Sequence, residues 1–245
     1  RNLCTLAGGV DKKTFRKWAW LFVDAIGCLE PAVIIWENRL VQDEGNDCTT
    51  SLDGADFRVP ESGRKFWSHK YKKSGFRYEV GLCIKTGWIV WLNGPYECGS
   101  WPDISIFRNC VLSFLGENER VEADDGYIGE APEFVKCPKS MGNPEETEFM
   151  QQRVRNRQET VNKRMKNWGA LKQVWRHRFD GHGDVFRAVA VITQISIENG
   201  EPLFQCGYRD PPYDREDSDN EMSSGSEFGS DQESDNSDDL SYDTP

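Results

Sequence analysis

Hydrophobic positions recur every three or four residues early in the chain. Phe15, Trp18, Phe22 and Ile26 form one stripe, which predicts an amphipathic helix from about residue 12, capped by Asp11 or Thr14. Pro31 begins or interrupts a second helix that buries Ile34, Ile35 and Trp36. Near Cys48 the period changes to two. Cys48, Thr50 and Leu52 share one face and Thr49, Ser51 and Asp53 the other, a short strand ending on a carboxylate, with Gly54 freeing the backbone to turn. The β-rich runs 78–84 and 88–92 flank Lys85-Thr86-Gly87 and predict a hairpin whose second strand ends at Gly94-Pro95. A helix follows, with Ser100 as cap, Pro102 in its first turn, Ile104, Phe107, Val111, Phe114 and Leu115 as its apolar face, and Gly116 as its stop. Residues 120–124 repeat the earlier layout, a short strand closing on Asp124 before Asp125-Gly126-Tyr127, and 134–137 read as a further strand. Asn143-Pro144-Glu145-Glu146 predicts a helix start, with the helix running to about 176 and Met150, Val154, Val161, Met165, Trp168 and Lys172 on one face. After Gly181-His182-Gly183, 185–197 reads as the last helix.

Charge changes this picture in two places. The net charge is −11 over 245 residues, but residues 210–245 carry 13 Asp/Glu and one Arg, net −12, which leaves 1–209 at +1. The acidity therefore belongs to a Ser-rich tail with few apolar residues, expected to be disordered and dispensable for folding. This divides the chain into an N-terminal helical segment, 1–42, a main domain, 43–209, and the tail, 210–245. No run of about 18 apolar residues exists, so no membrane span is expected. The eight cysteines are scattered without a Cys-x-x-Cys pair, which argues against a zinc finger and for buried thiols in a reducing compartment. The chain opens on Arg1 rather than Met and shows no signal peptide, as expected of a fragment or a processed chain.

Within the near-neutral body, cations are clustered. Residues 64–77 hold six Lys/Arg and no acid, with Phe66, Trp67, His69, Tyr71 and Phe76 between them. Arg64, Lys65, Lys70, Lys72 and Lys73 suit a phosphate backbone and the aromatics suit unstacked bases; a solvated loop with core aromatics fits equally. Residues 151–178 hold nine Lys/Arg and a single acid, Glu159, either a salt-bridge hub or a metal ligand. Arg157, Lys163, Arg164, Lys166 and Lys172 are the candidate phosphate contacts here. At 100° per residue Glu159 falls roughly opposite the apolar stripe, a conflict that a break near 152–157 would relax.

Strand–acid, hairpin, helix, strand–acid, helix–acid is the order of a ribonuclease-H-like core, in which carboxylates hold two metal ions about 4 Å apart against a phosphodiester. Four blocks make the likeness specific: Leu52-Asp53-Gly54-Ala55-Asp56; Gly94-Pro95-Tyr96-Glu97-Cys98-Gly99-Ser100-Trp101-Pro102-Asp103; Ala123-Asp124-Asp125-Gly126-Tyr127; and Arg157-Gln158-Glu159-Thr160-Val161-Asn162-Lys163-Arg164-Met165-Lys166. In sequence and order they resemble the PIF/Harbinger transposases of the DDE superfamily of endonucleases, over roughly 12–208. The resemblance implies an α/β fold, a ribonuclease-H-like mixed sheet flanked by helices. It implies Asp53, Asp124 and Glu159 as catalytic metal ligands, with Asp103 in support and Asp56 and Asp125 as neighbours able to substitute. It further implies two Mg2+ or Mn2+ ions, DNA as substrate, a separate Myb-like DNA-binding protein of the same element as partner, room for a homo-oligomer, and action in the nucleus. The DNA-binding portion expected ahead of the nuclease is largely missing. Residues 1–42 are either the remnant of a helix-turn-helix or helices packed on the main domain. An alternative is a domesticated or decayed descendant that keeps the fold as a DNA-binding or interaction module; such descendants often lose the acid triad, which is intact here.

Overall fold

The computed structural model describes residues 3–41, 48–138 and 145–208. The expected cap at Asn143-Pro144 and the acidic tail lie outside these. A short α1 (Leu3–Leu6) precedes α2 (Lys12–Gly27), and a single turn α3 (Glu30–Val33) follows with Pro31 at its start. Of the two candidate caps for α2, Asp11 is the one used: its Oδ1 accepts from the Lys13 amide at 2.8 Å and the Thr14 amide at 3.2 Å. Of the predicted stripe only Ile26 lies on the packed face of α2. Trp20, Val23 and Ile26 rest on the core, while Trp18 and Phe22 are exposed, because α2 lies on the last helix through a face rotated from Phe15, Trp18 and Phe22. The N-terminal segment is also tied to the main body by a buried, two-pronged ion pair, Arg39 Nε to Glu119 Oε1 at 2.7 Å and Nη2 to Oε2 at 2.9 Å.

Strand β1 (Cys48–Arg58) is the centre of a six-stranded mixed sheet with β2 (Trp67–Ser68), β3 (Lys73–Cys83), β4 (Ile89–Glu97), β5 (Arg120–Glu122) and β6 (Val135–Lys136). Antiparallel β3 lies on one side of β1, and β2 and β4 pair with β3 in turn. On the other side β5 and then β6 run parallel to β1. A meander followed by parallel strands is the ribonuclease-H-like arrangement. Helix α4 (Asp103–Asn109) carries the chain from the meander to the parallel edge, and packs with Leu52, Val121 and Tyr127 on one face of the sheet. Helices α5 (Glu145–Lys166) and α7 (Asp180–Glu198), joined through the short α6 (Gly169–Lys172), cover the opposite face around Ala55, Phe57, Tyr78 and Val80.

Several predicted boundaries move. β4 continues through Gly94-Pro95 to Glu97, with a register shift opposite Arg77 and Glu79 absorbing the irregularity. Pro102, not Ser100, sits at the cap of α4, which stops at Asn109 before a 3-10 turn over Val111–Phe114. The helix from 145 ends at Lys166 rather than 176 and shows no break at 152–157. Gly181-His182-Gly183 lies inside α7, where small residues let Trp20 and Pro95 approach.

Gly54 does not turn the chain either; β1 runs straight through it. The glycine is needed for space. A Cβ there would collide with Oδ1 of Asp103 and stand 2.9 Å from its carboxyl carbon. Gly54→Ala is therefore expected to cost about 1–3 kcal/mol by overpacking. In an Asp103→Ala background the same change should cost less than about 1 kcal/mol, since neighbours sharing a contact are not additive. Thermal or urea unfolding of the four proteins measures this, and an undiminished loss in the double variant would place the clash elsewhere.

Candidate active site

The parallel register of β1 and β5 builds the site. Ser51 lies opposite Glu122, so the residue two positions on from each, Asp53 and Asp124, emerges at the same end of neighbouring strands. Asp53 points to the α5 side of the sheet, where its Oδ2 accepts from Asn162 Nδ2 at 2.6 Å. Asp124 lies just past β5 and caps the 3-10 turn Asp125–Glu130, its Oδ1 accepting from the Gly126 amide at 2.8 Å. Glu159 reaches in from the flank of α5. The three side chains line one cavity of ≈ 140 Å³ together with Ser51, Lys70, Glu122, Arg155 and Gln158.

The conflict over Glu159 is resolved by what α5 buries. Its inner face is not purely apolar: Gln151, Gln158 and Asn162 are buried beside Val154, Val161 and Met165. Gln158 accepts from Ser51 Oγ at 2.9 Å and donates to the Val80 carbonyl at 2.9 Å. Asn162 marks the edge of this face, and Glu159 stands one step, about 60°, beyond it. An exposed carboxylate at the rim of the cavity is the result, with the helix unbroken.

Electrostatics single out Asp53. Burial is the main cause that raises its pKa from 3.8 to about 7; Asp124 and Asp103 push the same way, and Lys70 and Lys166 oppose them. Asp103 is raised to about 6, again chiefly by burial, against the pull of Arg77 and with the repulsion of Asp56 and Asp124. Among the described residues, no three His, Cys, Asp or Glu side chains are gathered closely enough to hold a metal ion. The donor set, oxygen only and rich in carboxylate, nevertheless suits a hard divalent cation, and the desolvated Asp53 is the group such a charge would most relieve.

Neither neighbouring acid is equivalent. Asp56 faces the other side of the sheet, where Arg77 Nε at 2.8 Å and Ser68 Oγ at 2.6 Å engage its carboxylate. Burial would raise it, but these hydrogen bonds hold it below its ordinary value. The same Arg77 reaches Asp103 Oδ2 at 3.0 Å. Asp125 opens the 3-10 turn and does not line the cavity with Asp124.

Beside the acids lies a larger cleft of ≈ 650 Å³, lined by Asp53 and Glu159 and by Arg58, Lys70, Lys163, Lys166 and Lys172. Lys166 holds its ammonium 5.2 Å from the Phe57 ring and 5.7 Å from that of Tyr71. The other predicted cations lie elsewhere. Arg64, Lys65, Lys72 and Lys73 are exposed but do not line the cleft; Lys65 pairs with Glu97 at 2.7 Å and Lys73 stands 3.9 Å from Glu61. Arg164 donates to the Glu201 carbonyl at 2.6 Å, on another side of α5. Arg157 is a correction: it is fully buried, donating to the Cys83 and Ile84 carbonyls at the end of β3, and presents nothing to DNA. Helical periodicity puts it beside Val154 and Val161, on the inner side of the helix, a signal outweighed by its charge.

The sequence reading missed Asn162, Gln158 and the Arg77–Asp56–Asp103 triad. The clue to the first two was polar residues at helical spacing within the apolar stripe; the triad offered none, since Asp56 and Arg77 pair across strands and Asp103 joins them from α4.

A raised acid pKa destabilises the fold wherever the unfolded chain would be ionised. For Asp53 the folded state holds its proton up to about pH 7, the unfolded state only to about pH 3.8. Stability from this group is thus complete below pH 4 and lost as pH rises to 7. Asp53→Asn should unfold at higher denaturant than the parent at pH 8, by about 1–3 kcal/mol in metal-free buffer, with the gap narrowing as pH falls toward 4. A gap independent of pH would mean that Asp53 titrates normally.

With the geometry in place, comparison with known proteins adds one match. A family model described as DDE superfamily endonuclease matches residues 52–194, more than half of the chain, from β1 beside Asp53 into α7. Neither the curated proteins nor the solved structures include a match to this chain.

Proposed function

The chain belongs to the DDE superfamily endonucleases, and from that membership we propose that it cuts DNA phosphodiester bonds as a transposase of the PIF/Harbinger type. One observation carries the reading: Asp53, Asp124 and Glu159, drawn from a central strand, the end of its parallel neighbour and a helix, line one small cavity beside a lysine-lined cleft. The four ordered sequence blocks support the PIF/Harbinger type. With that type go two further proposals, a separate Myb-like DNA-binding partner and work in the nucleus. No helix among the described residues is long and apolar enough to cross a membrane.

In this reading Asp53, Asp124 and Glu159 hold Mg2+ or Mn2+. A bound pair of such ions polarises the phosphodiester and makes a water or a 3′-hydroxyl a stronger nucleophile. The chain's own part is to place and guide. Lys163, Lys166 and Lys172 hold the DNA backbone along α5 and α6, and Lys70, which lines both cavities, steers a phosphate toward the acids. Arg77 keeps Asp103 behind β1, so that its charge is balanced on the far side of the sheet.

Two measurements test this. Millimolar Mg2+ or Mn2+ should raise the melting temperature and support cleavage of duplex DNA, while Asp124→Asn should abolish both and leave DNA binding nearly intact. Replacing Lys163 and Lys172 with Ala should lower the slope of log affinity against log salt by about 1.8, whereas Arg164→Ala should leave it unchanged. If metal leaves the melting curve unmoved and Asp124→Asn changes nothing, while DNA binding keeps its salt dependence, the chain is a nuclease-fold DNA-binding module instead.

A further inference from the structure

We propose that Asn162 is a positioning residue of the candidate active site, and that it sets both the orientation of Asp53 and the reach of Glu159. This rests on the reading of the acids given above. Asn162 is only 8% exposed, and its Nδ2 donates to Asp53 Oδ2 at 2.6 Å. Its own Oδ1 is buried and has no hydrogen-bond partner among the described residues. An unmet acceptor in a buried amide is a cost to stability, so packing alone would favour an apolar residue here.

The amide has one useful orientation. Turned over, it would set its oxygen against the ionised carboxylate that a cation requires, two acceptors facing each other with no proton between them. As placed, it fixes one oxygen of Asp53 and leaves the other to the cavity that Asp53 shares with Asp124 and Glu159. Lysine cannot replace it without adding a competing cation, and a carboxylate cannot donate when ionised.

Asn162 also acts on the helix. Ser51 and Asp53 are two apart on β1, about 6.6 Å, and Gln158 and Asn162 are four apart on α5, about 6 Å. The pairs match: Gln158 accepts from Ser51 and Asn162 donates to Asp53. Two side-chain bonds of matched pitch fix how far α5 slides along β1. Glu159 projects between them, one residue after Gln158 and three before Asn162, so its place at the cavity follows from the same two bonds.

The test separates positioning from packing. Asn162→Leu keeps the branched shape, fills the site and removes the donor; Asn162→Ala removes both. Each is titrated with Mn2+ by electron paramagnetic resonance, and each is unfolded without metal. If Asn162 positions Asp53, both variants bind Mn2+ about 10–100-fold more weakly, although leucine restores stability and alanine does not. If affinity instead follows stability, recovering in the leucine variant, or if neither variant loses affinity, the inference is overturned and Asn162 only fills space. A parent chain that binds no Mn2+ overturns the proposed function itself, and this inference with it; that result is distinguished by its appearing before any substitution is made.

Discussion

A carboxylate taken partly out of water next to other carboxylates is the constraint around which this molecule is arranged. Asp53 cannot be removed from β1 without dismantling the site, and it cannot be ionised there cheaply: burial and the charges of Asp124 and Asp103 raise its pKa to about 7. The surroundings answer this in three ways. Asn162 gives its carboxylate a neutral donor, Lys70 and Lys166 supply positive charge from the cleft, and the cavity leaves room at the point where the acids face each other. None of these brings a full positive charge into contact with the acid.

The far face of the same strand handles its charges differently. There Asp56 and Asp103 share Arg77, at 2.8 Å and 3.0 Å, and Gly54 leaves the space that Asp103 occupies. A paired network of this kind is rigid, and breaking it would leave a buried charge uncompensated. β1 is thus held stiffly from behind by ion pairs, while its front face presents Asp53, which makes no ion pair among the described residues. Glu79, across from Gly54, fits the pattern: burial raises its pKa to about 8 against the opposing hydrogen bond from Trp91 Nε1 at 2.9 Å, so it adds little further negative charge near neutral pH.

The outline of this arrangement was legible in the sequence, but its fit was not. Strand–acid patterns at Asp53 and Asp124 have a two-residue period that survives any packing, and the hairpin around Lys85-Thr86-Gly87 carries its own turn chemistry, with Gly87 at φ 78. What failed was inference from a residue's usual role. Gly54 and Gly94-Pro95 read as stops because glycine and proline commonly end strands; here glycine answers a carboxylate on a different element, 49 residues away in the chain. Phe15, Trp18, Phe22 and Ile26 read as the buried stripe because they recur at spacings of three and four, yet of these only Ile26 packs on the core, beside Trp20 and Val23. Arg157 read as a phosphate contact because it is charged, when its position on the helix makes it an inner residue. Each error concerns long-range complementarity, which single-residue preference does not encode.

The same point explains how cleft and cavity come to adjoin. α5 must press a polar inner edge, Gln158 and Asn162, onto β1 to place Glu159, and a helix of that length has an outer side left over. Its outer positions near the C-terminal end are Lys163 and Lys166, and the chain then turns through α6 to add Lys172. Cations there are favourable on their own account, since the last turn of a helix carries partial negative charge. Phe57 and Tyr71 beneath Lys166 keep that ammonium over aromatic faces instead of letting it fold down onto Asp53. A lysine drawn fully onto Asp53 would neutralise the acid and fill the place of a divalent ion. Over the rings, Lys166 lowers the acid's pKa less than Lys70 does and remains available to a phosphate. Separation of the two charges, and not their pairing, is what keeps an acidic cavity and a basic cleft distinct along one helix.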